Sequence, residues 1–84
     1  MTAITIEEAK KLIAGQTIYA IPGSSLFNRN GTNTDGSPMR YKVTSVKTWK
    51  TRPDEVLVNL KFGLYEYYKL REDELHHFSL TEES

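Results

Sequence analysis

Apolar and polar side chains alternate most regularly between residues 56 and 62. Every second position is apolar, at Val56, Val58, Leu60 and Phe62. Asn59 and Lys61 fall between them, and Leu57 is the one apolar residue on the polar side. A period of two is that of a strand with one face on a core and the other in water. The segment 56–62 is therefore predicted to be a half-buried strand.

Gly63 interrupts this run, and a second run follows from Leu64 to Leu70. Two such runs around a glycine are typical of a tight hairpin. A helix is the alternative for the second run, but its aromatic content favours a strand. On a strand, one face carries Leu64, Glu66, Tyr68 and Leu70. The other face carries Tyr65, Tyr67 and Lys69.

The segment upstream is predicted to be the first strand of a meander that runs from Arg40 to Leu70. Val43 and Val46 differ in parity, so strict alternation would place them on opposite faces. One extra residue, a bulge near Thr44 or Ser45, would restore the phase. The other interpretation is that both faces are partly covered. Residues 50–54 contain Pro-Asp and are predicted to form the turn into the next strand.

The N-terminal segment carries the signature of a short helix over residues 5–14. Thr5 and Glu8 match a capping box, in which each side chain binds the other residue's backbone amide. Ile6, Ala9 and Ile13 form an apolar stripe at helical spacing, with Leu12 beside it. Gly15 follows, where a helix end favours a left-handed residue. A helix this short is not stable alone, so it is expected to lean on the sheet.

Shorter elements complete the chain. Residues 16–21 are predicted to be a strand that Pro22 and Gly23 end, and residues 71–75 a single turn. Residues 76–80 are predicted to be a closing strand with His76, Phe78 and Leu80 on one face. Residues 81–84 form a polar, acidic tail. The loop 22–38 is long for a compact domain and is interpreted as either functional or disordered.

This order of elements resembles that of small SH3-like barrels. The resemblance covers roughly residues 16–80, with 22–38 as the long first loop, 61–65 as the hairpin tip and 73–75 as the single turn before the last strand. It implies a mainly β (α+β) fold: a five-stranded SH3-like small barrel with a short N-terminal helix. The peptide-binding SH3 signature is missing, because the first strand has Thr17-Ile18-Tyr19-Ala20-Ile21 and no Trp-Trp pair follows. Recognition of proline-rich peptides is therefore not carried over.

A second resemblance concerns the source of the protein. The size, the helix-then-barrel layout and the ending from Leu64 to Phe78 are similar to small accessory proteins of tailed bacteriophages. This resemblance implies a host protein as the partner and the host cytoplasm as the location.

Composition limits the classes of protein that fit. Eighty-four residues are expected to form one domain, residues 1–84. The chain has no cysteine, which fits a reducing compartment. It has neither a signal peptide pattern nor an apolar run of the roughly 20 residues that span a bilayer. A soluble, cytoplasmic protein without membrane contact is expected.

The net charge is zero, but the basic residues are unevenly distributed. The segment 40–52 carries five basic residues, no acid and two aromatic rings. Nucleic-acid binders need cations for phosphates and rings for bases. A nucleic-acid-binding barrel is therefore the alternative function, weighed against an ordinary solvated strand face. Its candidate residues are Arg40, Tyr41, Lys42, Lys47, Trp49, Lys50 and Arg52.

Protein binding is the preferred function. If Leu64, Tyr68 and Leu70 face inward, Tyr65 and Tyr67 lie outside, where tyrosines are favoured interface anchors. The competing interpretation is that the N-terminal helix covers them. Leu26 and Phe27, in the long loop, are the other candidate protein-binding residues.

Chemistry beyond binding finds little support in the sequence. His76 and His77 are adjacent, and adjacent strand residues point to opposite faces, so a shared metal is not expected. The loop around Gly31 and Gly36 fails the EF-hand ligand pattern. Ser24 and Ser25 have no base that the sequence indicates. We expect no metal, no cofactor and no enzymatic activity.

Overall fold

The structure, a computed structural model, describes residues 2–24 and 31–82. Within these ranges one α-helix and one 3₁₀ helix accompany five strands. The elements are α1 Ile6–Lys10, β1 Thr17–Ala20, β2 Arg40–Trp49, β3 Arg52–Phe62, β4 Glu66–Arg71, the 3₁₀ helix Glu72–His77 and β5 Phe78–Ser79. No helix of the described ranges is long and apolar enough to cross a membrane.

The described strands form one antiparallel sheet, in the order β4-β3-β2-β1-β5. The prediction of a mainly β protein with five strands and a little helix is confirmed. β4 and β5 stand at the two ends of this order, and the sheet is not closed. The long strands β2 and β3 form its centre and contribute five residues to the core, Tyr41, Val43, Val56, Val58 and Leu60.

The bulge predicted in β2 is confirmed at Thr44. Val43 pairs with Leu60, and the next pair is Ser45 with Asn59, so the register shifts by one residue between them. The Thr44 hydroxyl donates a hydrogen bond of 3.0 Å to the Asn59 carbonyl oxygen. The extra residue restores the phase, so that both Val43 and Val46 face the core.

The core lies on one face of the sheet and beneath α1, which packs against β3 and β2. Its members come from every strand and from both helices. They are Ile4, Ala9, Leu12, Ile18, Ala20, Tyr41, Val43, Val56, Val58, Leu60, Leu70, Leu75 and Phe78.

The capping box of α1 is confirmed, but the helix is shorter than predicted. The Thr5 amide donates to Glu8 Oε1 at 3.0 Å, and the Glu8 amide donates to Thr5 Oγ1 at 3.2 Å. The helix ends at Lys10 instead of residue 14, because the next amides bond three residues back, as Leu12 does to Ala9. This tighter winding turns Leu12 into the core and leaves Ile13 68% exposed, so its predicted place in the apolar stripe is wrong.

Two predicted turns differ from the structure in their limits. β3 begins at Arg52, so Pro53 and Asp54 belong to a strand and not to the 50–54 turn. β4 begins at Glu66 and not at Leu64, because its pairing with β3 ends at Phe62. Leu64 therefore lies in the turn, 75% exposed, and its predicted inward orientation is wrong.

The predicted closing strand 76–80 is mostly replaced by helix. His76 and His77 end the 3₁₀ helix, which begins with three acidic residues, and carboxylates in the first turn favour a helical turn. β5 keeps only Phe78 and Ser79, which pair with Ala20 and Tyr19 of β1. Both residues of β5 are buried.

The long loop is described only in part. Leu26 and Phe27 lie outside the described residues. Residues 31–38 form a hydrogen-bonded turn closed by the Thr32–Pro38 bridge. Hydrogen bonds from Ser37 hold the pKa of Asp35 below its usual value.

Candidate functional site: the hairpin tip and the outer sheet face

The tip of the β3–β4 hairpin exposes large apolar side chains. Tyr65 is 88% exposed, Leu64 75% and Tyr67 69%. Among the described residues one other large hydrophobic side chain, Ile13, is exposed to a comparable degree. The interpretation that the N-terminal helix covers Tyr65 and Tyr67 is therefore wrong. We call Leu64, Tyr65 and Tyr67 the hairpin tip.

The hairpin tip stands on an ordered base. The pairs between β3 and β4 run without a register shift from Leu57 with Arg71 to Phe62 with Glu66. The Phe62 ring stacks on Tyr41 at a centroid distance of 5.0 Å, which ties the end of the hairpin to the core. Gly63 starts the turn at φ +71°, a conformation that glycine adopts without strain. The exposed side chains are thus held by a strand pair and a packed ring.

The opposite side of the sheet from the core is basic. Paired residues in an antiparallel sheet share a face, so the register defines this side. Lys42 pairs with Lys61, which pairs with Tyr67, and the next rows are Ser45–Asn59–Lys69 and Lys47–Leu57–Arg71. Arg40 extends the surface through its pairing with Tyr19. We call this surface the basic face; its cations are Arg40, Lys42, Lys47, Lys61, Lys69 and Arg71.

Acidic residues lie beside the basic face and not within these rows. No described residue paired in them is acidic. Arg40 forms an ion pair with Glu82, and Arg71 with Glu72, each at 3.8 Å. Within 2–24 and 31–82, the other four cations of the basic face have no carboxylate within 4.0 Å.

An open groove of about 310 Å³ lies where the basic face meets the turn of the hairpin. Arg40, Lys42 and Lys61 supply three cations to its lining, and Thr17 and Gly63 complete its rim together with Tyr41. A cavity with this lining favours anionic over neutral ligands.

Aromatic rings accompany two of these lysines. Lys61 Nζ lies 6.0 Å from the Tyr67 ring centroid, and Lys47 Nζ lies 5.8 Å from that of Trp49. These distances are those of cation–π contacts. The basic face therefore combines cations with flat apolar surface.

The basic-aromatic segment predicted from the sequence is divided by the fold. Tyr41 faces the core, where burial raises the pKa of its hydroxyl and the negative charge of Glu66 raises it further. Lys50 and Arg52 lie at the β2–β3 turn, and Arg52 pairs with Glu55 at 3.4 Å. Lys42 does point away from Tyr41, as alternation predicted.

Three cations of the basic face were not predicted from the sequence, because they lie on the next two strands, β3 and β4. They are Lys61, Lys69 and Arg71. The signal that could have found them is the hairpin at Gly63, since its pairing places alternate residues of β4 beside those of β3.

The two histidines do not have the strand geometry that the sequence argument assumed. They lie on the 3₁₀ helix with ring centroids 4.0 Å apart. His76 is exposed, whereas His77 is half-buried and contacts the Ser24 hydroxyl through Nδ1. Partial burial lowers the pKa of His77, as does His76, while Glu74 raises it. The described residues contain no group of three metal-ligating side chains around them.

The Ser24–His77 contact supplies a base that the sequence did not indicate. A hydrolytic site would also need donors for a developing oxyanion. The residues that follow Ser24 lie outside the described ranges. This contact joins the start of the long loop to the 3₁₀ helix. A hydrogen bond of 2.8 Å from the Ile21 amide to the His77 carbonyl oxygen lies beside it.

Comparison of this chain with protein-family models, curated proteins and solved structures finds no match.

Proposed function

We propose that this protein is a non-enzymatic binding module that docks on another protein through the hairpin tip. The observation that carries the proposal is the concentration of exposed apolar surface. Of the four large hydrophobic side chains that the described residues leave exposed, three belong to the hairpin tip. Single exposed hydrophobic residues are ordinary, whereas a cluster of them is typical of an interaction site.

The composition of the hairpin tip supports a protein partner. Tyrosine offers a large, rigid contact area with a polar end, and it is enriched among residues that dominate binding energy. The base of the hairpin is paired and packed, so little ordering is needed on binding. Preorganisation of this kind lowers the cost of association.

The positive charges beside the hairpin tip indicate the chemistry of the partner's surface. Lys61 and Lys69 flank Tyr67 on the basic face and have no described carboxylate within 4.0 Å. The proposed partner therefore presents an apolar pocket for the tip with acidic residues at its rim. Complementary charge of this kind fixes orientation and raises the association rate.

The fold proposed for the module is SH3-like. The run of β1, a long loop, three strands, a helical turn and a short last strand supports it, as does the sheet order β4-β3-β2-β1-β5. If the chain is encoded by a tailed bacteriophage, as the sequence resemblance implies, the partner is a protein of the bacterial host. A bacterial lysate is then the first place to search.

The test compares three immobilised baits: the wild-type protein, Leu64→Ser/Tyr65→Ser and Ile13→Ser. Ile13 is the matched control, because it is exposed and apolar but lies outside the hairpin tip. Proteins retained from lysate are quantified by mass spectrometry. The strongest is then purified, and its affinity for each variant is measured by calorimetry.

We expect one protein to be retained by the wild type and by Ile13→Ser but lost from the double variant. Loss of an anchor residue costs about 2 kcal/mol or more, so the affinity of the double variant should fall by about 30-fold or more. Equal retention by all three baits would overturn the proposal. Sedimentation that shows self-association through the tip would replace the foreign partner by a second copy.

A further inference from the structure

We infer that the basic face is a binding site for single-stranded nucleic acid, with phosphate groups on its lysines and bases on its rings. This site lies on the flat of the sheet, shares Tyr67 with the hairpin tip and goes beyond the docking proposed there. It also differs from the segment 40–52 that the sequence indicated, because it gains cations from β3 and β4 and loses those at the β2–β3 turn.

Positive charge is dense on the basic face, although the net charge of the chain is zero. The two lysines of the first row, Lys42 and Lys61, are direct register partners, and such partners have Cα atoms about 4.5–5.5 Å apart. Their like charges repel each other, and no described carboxylate relieves the repulsion. An anion in the adjoining groove would relieve it, and the groove is lined by Arg40 as well.

The basic face extends over three rows of paired residues. Beyond the groove, Lys69 and then Arg71 continue along β4 at every second residue, a spacing of roughly 6.6–6.8 Å. Lys47 continues on β2 in the same direction. A row of cations extended over several registers fits a polymer of phosphates better than one small anion.

Accessible aromatic rings lie beside the cations of the basic face. Tyr67 is 69% exposed and lies under Lys61, while Trp49 is half-buried beside Lys47. Flat rings on a sheet stack unpaired bases, which is how many single-strand binders hold their ligand. A duplex keeps its bases stacked on each other and leaves these rings without a partner. The rings therefore favour a single strand over a duplex.

The experiment titrates a labelled oligothymidylate of about 12 nucleotides, within the range that small single-strand binding folds cover. Fluorescence anisotropy reports binding, and quenching of Trp49 reports it from the protein. Four lysines that pair with no described carboxylate (Lys42, Lys47, Lys61 and Lys69) predict a slope of roughly −3 for log K against log salt. Affinity should then fall by roughly 50-fold between about 50 and 200 mM salt.

Two double variants with the same change of charge locate the site. In Lys42→Gln/Lys61→Gln the slope should become less steep, at roughly −1.4, and the affinity should fall only about sevenfold over the same salt range. Lys11→Gln/Lys50→Gln lies outside the paired rows and should behave as the wild type. Tyr67→Leu should weaken binding by about fivefold or more without changing the slope, because stacking does not release counterions.

Three outcomes would overturn the inference. One is a flat titration at low salt, and another is an equal loss of affinity in the two double variants. The third is binding of a duplex or of an acidic polypeptide of equal charge as tight as that of the oligothymidylate. The first two refute the site, and the third refutes the nature of the ligand.

Discussion

Replacing leucines along one hairpin tests the assignment of faces on which both binding surfaces depend. Leu60 is fully buried in β3 and pairs with Val43 and Tyr68. Leu57 lies on the basic face of the same strand and is partly exposed. Leu64 is 75% exposed in the hairpin tip. The same change to alanine at these positions removes the same atoms from three different environments.

The expected losses follow from burial. Truncating a fully buried leucine costs about 2–5 kcal/mol, because transfer and cavity terms add. A domain of this length has roughly 4–13 kcal/mol of stability in total, so Leu60→Ala removes a large share of it. A loss of about 3 kcal/mol lowers the melting temperature by roughly 12–24 °C. Leu57→Ala should cost about 1–2 kcal/mol, and Leu64→Ala less than about 0.5 kcal/mol.

Thermal and urea unfolding, followed by circular dichroism, measure the three variants against the wild type. If Leu57→Ala costs as much as Leu60→Ala, the basic face is covered in solution and cannot bind a ligand as proposed. A melting temperature that rises with protein concentration would identify that cover as a second copy. If Leu64→Ala lowers the stability as much as Leu60→Ala does, the hairpin tip is packed and the docking proposal fails.

Two further predictions concern other parts of the molecule. Thr5→Ala removes the cap of α1 and should lower the stability by about 1 kcal/mol, or the melting temperature by roughly 4–8 °C. Thr34→Ala, in an exposed turn, should change the stability little. Equal effects of the two changes would contradict the role of the capping box. The folded state lowers the pKa of His77, so the unfolded chain binds the proton of this imidazole more tightly than the folded chain does. The contribution of His77 to stability is therefore complete above a pH of about 6.5 and declines as the pH falls below it. Melting temperatures between about pH 7.5 and 5.5 should fall most in the wild type, less in His76→Gln, which removes one cause of the lowered pKa of His77, and least in His77→Gln. An unchanged decline in His77→Gln would assign the effect elsewhere.

Local patterns predicted most of the fold. The alternation of residues 56–62, the phase defect in β2 and the Thr5–Glu8 capping box each concern neighbouring residues, and the structure confirms all three. The errors occurred where a distant contact decides the outcome. His76 alternates with Phe78 as a strand would, but only two residues of β1 pair with β5. The helix stripe included Ile13, whereas the sheet beneath α1 selects Leu12.

The candidate site was predictable only in part, for the same reason. The exposure of Tyr65 and Tyr67 depended on which surface α1 would cover, and α1 packs on the core side of β2 and β3. The basic face could be predicted only with the register of three strands, β2, β3 and β4. Lys61 and Lys69 are eight positions apart in the chain, and the hairpin places them one row apart. Charge counted along the chain therefore underestimated the basic surface.

The bulge at Thr44 also limits how this chain can change in length. Lys42 and Lys47 are five positions apart, an odd spacing that regular alternation would put on opposite faces, and the bulge places them on the same one. Loss of Thr44 would leave them four positions apart, a spacing that regular alternation keeps on one face. Gain of one residue between them without a second bulge would instead turn Lys47 inward and Val46 outward. Loss or gain of two residues would shift the pairing but keep each side chain on its own face. Variants of this protein should therefore lose one residue from β2 at the bulge more readily than they gain one, while the turn at Lys50 and Thr51 accepts changes of either kind.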